Sequence, residues 1–274
     1  MEDGVRRWLI DISQWNPSQD QFSSLVSRLP PHEQAAVTRF IKFEDRKRAL
    51  VSRLLQYTIV HEVLGIPFGK IILDRTIEGK PYLNLERDFL LPNFNFNASH
   101  HGNYVGIASE SVCLVGLDIF SLVVPQQGTT LEFIQNFSSY FTVLEWKKIV
   151  NAGTSDEILA EFCRYWCLKE AYVKAIGAGL GFGLHRLEFH HTNWTHISIR
   201  IDGVESREWR FCLFELDKRH WASVAKGHPR KAVESYQRAL THVDIEDEEY
   251  WKRLCLPEPG FTLRAVEQLL PLLN

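Results

Sequence analysis

The chain is 274 residues long, 45% hydrophobic and 24% charged, with a formal charge of −3. This describes an ordinary soluble globular chain with ample core, and it gives no global pull toward nucleic acid or anionic membrane, so any anion site must be local. No apolar run approaches the roughly 20 residues that span a bilayer.

The start, Met1-Glu-Asp-Gly4, is acidic and lacks the order of a secretory signal or a transit segment. Cysteines at 113, 163, 167, 212 and 255 make an odd number with no disulfide framework. A cytoplasmic location is expected, or a mitochondrial one through a longer isoform. Cys163 and Cys167 share a helix face and suit small apolar packing.

Val5 to Trp15 alternates as an opening strand. A helical pattern, one helix or two, runs from His32 to Leu64, and Gly65-Ile-Pro67 ends it. Ile71–Arg75, Pro81–Leu85, Phe94–Ala98 and Tyr104–Ser109 read as short strands. Then the order begins again. Val112–Phe120 is a buried strand, Leu131–Val150 and Asp156–Ile176 are helical, and Leu187–His191, Ile197–Ile201, Glu208–Glu215 and Trp221–Ala225 are strand-like. The repeat predicts an α+β fold built as a pseudo-twofold pair of subdomains, 1–110 and 111–227, with the site in the cleft between them. Residues 228–274, with a Leu-rich end, form a C-terminal extension that reads as an appendage.

Several constellations can carry chemistry. Asp118 lies in the apolar strand Leu114-Val-Gly-Leu-Asp-Ile-Phe120. A carboxylate there is costly unless paired, hydrogen-bonded or metal-bound, or else it caps the strand end. Gly116 leaves room on the same strand face for a ligand. Glu170 and Lys174, one helical turn apart, leave the same face of a helix that runs out into Gly177-Ala-Gly-Leu-Gly-Phe-Gly183. That run is either a closing loop or a compact turn. Ser99 and His100 can donate to phosphate oxygens or simply tie a loop. Arg75 and Lys80 flank a glycine turn without P-loop spacing. Arg39, Lys42, Arg46, Lys47, Arg48 and Arg53 form a basic run, either a docking stripe or a solvated face.

Together, Arg75-Thr-x-x-Gly-Lys-Pro81, Asn97-Ala-Ser-His100, Gly116-Leu-Asp118 and Trp166-x-x-Lys-Glu-x-x-x-Lys174 resemble the Sfp-type 4′-phosphopantetheinyl transferases. The similarity is greatest to the eukaryotic aminoadipate-semialdehyde dehydrogenase phosphopantetheinyl transferase group, and it covers roughly residues 5 to 226. The resemblance implies coenzyme A in the cleft and transfer of its 4′-phosphopantetheine arm to a serine of an apo-acyl or peptidyl carrier protein with an acidic surface. It implies Mg²⁺ held by Asp118 and Glu170, with Glu170, Lys174 and His100 in catalysis. It further implies contacts to coenzyme A from Arg75, Thr76, Gly79, Lys80, Asn97, Ser99, His100 and Lys174. A single-chain cleft implies a working monomer. Phe120 stands where bacterial members carry a Glu, leaving His101 or water to complete the metal shell. Ala36 stands where relatives carry a basic contact, a role expected to pass to Arg39. The alternatives are an inactive coenzyme A- or carrier-binding protein, for which Phe120 speaks, and a hydrolase centred on Ser99.

Overall fold

A computed structural model describes residues 4–84, 91, 93–123 and 128–269. Strand β1 (Arg6–Asp11) buries Trp8, Leu9 and Ile10. The strand expected as far as Trp15 stops at Asp11, whose carboxylate accepts from the Ser13 amide at 2.8 Å and turns the chain. Helix α1 (Gln19–Val26) has no counterpart in the pattern above, although Ser18 and Gln21 form a capping box at its start. The helical stretch to Leu64 is two helices, α2 (Pro31–Thr38) and α3 (Phe43–Leu64), and Gly65 at φ 69° stops the second.

A small hairpin follows, β2 (Leu73–Arg75) with β3 (Pro81–Leu83), and it pairs with no other sheet among the described residues. Leu85, the expected end of β3, lies outside the described residues. Strands β4 (Asn95–His101) and β5 (Tyr104–Glu110) complete this half. Helix α3 covers the β1–β5–β4 sheet through Leu50, Leu54 and Val51 against Ile10, Phe96, Val105 and Ile107.

The second half opens with β6 (Leu114–Phe120). The helix expected over Leu131–Val150 is broken into α4 (Thr130–Gln135), a 3-10 turn at Ser138–Tyr140 and α5 (Val143–Val150). Capping boxes at Thr129/Glu132 and Thr142/Glu145 start each helix afresh. Helix α6 (Ser155–Ile176) starts from Thr154/Glu157 and stops at Gly177, φ 76°. Strands β7 (Leu187–Thr192), β8 (Thr195–Ile201) and β9 (Val204–Ser206) form one antiparallel sheet. Strands β10 (Trp209–Glu215) and β11 (Trp221–Gly227) join β6 in another, ordered β10-β11-β6. Helix α6 buries Phe162, Tyr165, Leu168, Ala171 and Ala175, the 3.6-residue face of a helix laid over β6 and β11. Of the expected α+β architecture, each half holds its own sheet and its own long helix.

The two main sheets meet along β4 and β6, and the stitching is done by side chains. Oδ1 of Asn95 accepts from the Val115 amide at 3.0 Å, Oδ1 of Asn97 from Leu117 at 2.8 Å, and Oγ of Ser99 from Ile119 at 3.0 Å. Alternate residues of one strand thus satisfy alternate amides of the other, as the two-residue period of each requires. Leu9 and Ala108 from one sheet pack with Leu117, Ile119 and Val224 from the other behind this seam.

The extension returns across both halves. It carries α7 (Glu234–Gln237), α8 (Asp247–Leu254) and β12 (Thr262–Leu263), the last pairing parallel with β1. Glu258 pairs with Arg7 of the first half and, at 3.0 Å, with Lys226 of the second. Arg7 also meets Glu110 at 2.5 Å, so both buried cations have carboxylates, the condition for keeping such charges inside. Val266 and Leu269 then fill the core beneath α3. Of the Leu-rich end, residues 270–274 lie outside the described residues.

Candidate active site

Gly116 brings the site together. A Cβ there would lie 1.9 Å from the Ala171 carbonyl oxygen and 2.5 Å from the Ala175 amide nitrogen. The room expected for a ligand is therefore taken by the backbone of α6. That contact sets Glu170 and Lys174 beside β6. Asp118, buried two residues beyond Gly116, receives the Lys174 ammonium at 2.5 Å on Oδ1 and the Ser99 hydroxyl at 3.3 Å. Lys174 also donates to Ser99 Oγ at 3.0 Å. Residues from β4, β6 and α6 thus converge on one corner.

Oδ2 of Asp118 is buried and, the nearby Cys167 thiol apart, has no hydrogen-bonding partner among the described residues. Burial, then the like charge of Asp118, push the Glu170 carboxyl above the usual range, with Lys174 pulling the other way. A carboxylate oxygen so little satisfied beside a second, charge-strained carboxylate is the donor set of a hard cation that keeps water and phosphate as its other ligands. No group of three or more His, Cys, Asp or Glu able to hold a metal occurs among the described residues. The residues present fit Mg²⁺ on those terms.

Phe120 lines the corner as an apolar wall, with its ring stacked 5.5 Å from Trp166 and 5.1 Å edge-on from His101. His100, the last residue but one of β4, is exposed. Desolvation, followed by Lys174, Arg48, His101 and Arg53, pushes its imidazole down to about 4. His100 is therefore neutral at pH 7, a hydrogen-bonding group rather than a cation.

A second cluster faces solvent from the first half. The Arg75 guanidinium donates to the Gly79 carbonyl at 3.1 Å across its turn. Its pKa is lowered by burial and by Arg53 and Arg39, while Glu33 pulls it up. Glu33 is already paired with Arg53 at 2.5 Å, leaving Arg39 and Arg75 as cations that repel one another, a ready place for phosphate. Arg39 caps the end of α2 and is exposed.

Other expected site residues are turned inward. Asn97 spends its side-chain oxygen on the seam. Thr76 accepts the Lys80 amide within the turn at 3.3 Å. Lys80 is buried, with its ammonium on the carbonyls of Val115 at 3.1 Å and Lys174 at 2.5 Å, and burial followed by Lys174 lowers it to about 7. In this arrangement its charge lies behind the site. Ser99 is held by Ile119, Lys174 and Asp118, and no histidine is hydrogen-bonded to its hydroxyl among the described residues. Much of the basic run is internally satisfied: Lys47 is buried against Glu44, Arg48 pairs with Asp45, and Arg46 binds the Phe40 carbonyl. The glycine-rich run is the compact turn, a 3-10 segment at Gly179–Gly181 packed on Glu78.

One buried pair has no counterpart among the expected residues. Lys169 and Glu145 meet at 2.8 Å with both side chains fully buried. Lys169 also holds the carbonyls of Leu184 and Leu187, and Glu145 accepts from the Phe189 amide at 2.9 Å. The signal was Lys169 itself, standing inside the Trp-x-x-Lys-Glu run at a position facing the core.

Two domain models match the chain. One described as 4′-phosphopantetheinyl transferase, N-terminal, matches residues 13–112, and one described as the 4′-phosphopantetheinyl transferase superfamily matches 114–225. The chain belongs to the 4′-phosphopantetheinyl transferases. It is 36% identical over 235 residues to the L-aminoadipate-semialdehyde dehydrogenase-phosphopantetheinyl transferase of Homo sapiens, covering 83% of this chain and 76% of that one. It is 35% identical over 260 residues to a phosphopantetheinyl transferase of a Thraustochytrium species, covering 89% and 88%. Among solved structures, the holo-[acyl-carrier-protein] synthase of Thermotoga maritima is similar over 42% of this chain and 64% of that one, at 18% identity and a TM-score of 0.31.

Proposed function

We propose that this transferase moves the 4′-phosphopantetheine arm of coenzyme A to a serine of an apo-carrier protein at the corner formed by Asp118, Glu170, Lys174 and Ser99. The observation that supports the site most directly is the buried Oδ2 of Asp118, unpartnered but for the Cys167 thiol, beside Glu170. Asp118 and Glu170 would hold Mg²⁺. An ion held there would supply positive charge to offset that of the diphosphate.

The serine hydroxyl attacks the β-phosphorus of coenzyme A, the bond to the bridging oxygen breaks, and 3′,5′-ADP leaves. Phosphoryl transfer of this kind depends on positioning and on charge neutralisation. The Lys174 ammonium, already pointed into the corner, stabilises the non-bridging oxygens. His100, neutral at working pH, donates to the phosphate. Glu170 accepts the serine proton, and a carboxyl raised by burial suits that task. Arg39 and Arg75 meet the remaining phosphate of coenzyme A. The Phe120 wall keeps water from one side of the reacting groups.

Exposed Lys42, beside Ile41 at 95% exposure, supports docking of an acidic carrier. Transfer rates that do not change across a salt titration would sink that part. The protein is read as a cytoplasmic monomer, to be checked by sedimentation and by imaging a fluorescent fusion. The central test is incubation with Mg²⁺, coenzyme A and an apo-carrier, with mass spectrometry of the carrier. The adduct is expected, and it should vanish in Asp118→Asn. Bound coenzyme A without an adduct on any apo-carrier would point to a binding protein instead.

A further inference from the structure

We propose that the C-terminal extension completes the coenzyme A site, with Tyr236 as a positioning residue that seats Lys80 and so fixes the turn bearing Arg75. The proposal rests on the functional reading above and extends it to a segment outside both matched domains, which end at residue 225.

The need for such an anchor follows from the topology. Arg75 sits on the β2–β3 hairpin, which pairs with no other sheet among the described residues. An isolated two-stranded hairpin is marginal by itself. Leu73 roots this one in the core of the first half. The Asp118–Lys174 corner belongs to the second half, so the distance between Arg75 and that corner depends on what ties the turn across.

The ties are few. Lys80, the last residue of the turn, reaches over to the carbonyls of Val115 and Lys174. Those residues lie on β6 and at the end of α6, so one ammonium joins the turn to both walls of the corner. No carboxylate pairs with it among the described residues, and the ring of Tyr236 lies 4.6 Å from Nζ. The ring quadrupole supplies part of the stabilisation that a carboxylate would give the charged amine. The Lys80 stem and the Tyr236 ring both pack on Gly177, where a Cβ would come within 3.2 Å of each.

Neighbouring contacts hold Tyr236 in place. The Val233 amide donates to the Ile176 carbonyl at 2.9 Å, closing the end of α6. Ser235 donates to Glu78 at 2.5 Å, a second tie to the same turn. Asn93 and His242 exchange hydrogen bonds through the Asn93 side chain and the His242 backbone. Tyr236 itself is 1% exposed, and its hydroxyl has no partner among the described residues. The ring, rather than the hydroxyl, is therefore the working part.

The test is coenzyme A binding to the full-length chain by calorimetry, which does not depend on turnover, alongside thermal unfolding. Tyr236→Phe should bind as the wild type does. Tyr236→Leu should bind about tenfold more weakly, the loss of one desolvated cation–ring contact. Ser235→Ala, a surface change that leaves the core intact, should weaken binding about threefold. Tyr236→Leu or Ser235→Ala binding as tightly as wild type would overturn the proposal and leave only a packing role, as would Tyr236→Phe failing as badly as Tyr236→Leu. Wild-type chain that binds no coenzyme A would overturn the functional reading itself, and this inference with it.

Discussion

Gly116 on β6 faces the carbonyl of Ala171 on α6 so closely that a single added carbon would stand 1.9 Å from that oxygen. The close approach puts the Glu170–Lys174 face of the helix against Asp118. Gly116→Ala must therefore lift the helix off the strand, at a cost of about 3 kcal/mol, the upper part of the range for overpacked cores. Urea unfolding measures the loss. A midpoint equal to wild type would mean that the helix retreats freely, and the packing account would fall.

Lys174 and Asp118 are bonded at 2.5 Å, with the lysine partly open to solvent and the carboxylate buried. Lys174→Met should lower turnover about 10²- to 10³-fold, as loss of one preorganised donor does. It should also destabilise the fold by stranding a buried carboxylate. Adding Asp118→Asn should recover the unfolding midpoint but not the turnover. If recovery of stability brought activity back with it, the pair would be structural only.

Glu170 has two assigned duties, and Glu170→Gln probes both. The amide keeps the shape but loses the charge and the proton-accepting oxygen. Turnover should fall about 10²-fold or more, the usual share of a positioned acid or base. Full turnover at saturating Mg²⁺ would remove Glu170 from both roles.

The imidazoles of His100, whose side chain is exposed, and of half-buried His191 are lowered to about 4, chiefly by desolvation, against about 6.5 for an ordinary histidine. The unfolded chain therefore binds more protons than the folded one between pH 4 and 6.5. Their contribution to stability is fully present above 6.5 and drains away as the pH falls toward 4. Imidazole chemical shifts across a pH series should place both midpoints well below 6. A His191 midpoint near 6.5 would contradict its half-buried setting, and one for His100 would show that its ring stays fully hydrated.

Asn97 accepts the Leu117 amide in the buried seam. Asn97→Ala leaves that amide unsatisfied, costing about 1–3 kcal/mol of stability. The dissociation constant for coenzyme A, measured where the variant is folded, should hardly move. A large loss of affinity at unchanged stability would make Asn97 a ligand contact after all.

That Asp118, Glu170 and Lys174 converge was foreshadowed in the sequence, because a carboxylate in an apolar strand and a spaced Glu–Lys pair before a helix-stopping glycine are costly or specific patterns. Lys80 and Asn97 have equally polar side chains, yet theirs turn inward to backbone groups of β6 and α6. Only the assembled halves supply those partners. Helix α1 and the break between α4 and α5 were signalled by Ser18/Gln21 and Thr142/Glu145, capping pairs that outweigh the surrounding apolar pattern. The return of the extension left no such trace, since β12 has only two residues and shows no period.

That short strand has a consequence for synthesis. Thr262 and Leu263 lie beside Trp8 and Leu9, so β1 gains its outer neighbour only after both matched domains have been synthesised. Leu269, wholly buried, seals the hollow under α3 later still. A nascent chain interrupted before these residues carries an uncovered strand edge and an open apolar core, features that chaperones and proteases bind. The first half is thus completed only after the second has been made, and fragments truncated before Thr262 should be cleared rather than accumulate as partial enzymes.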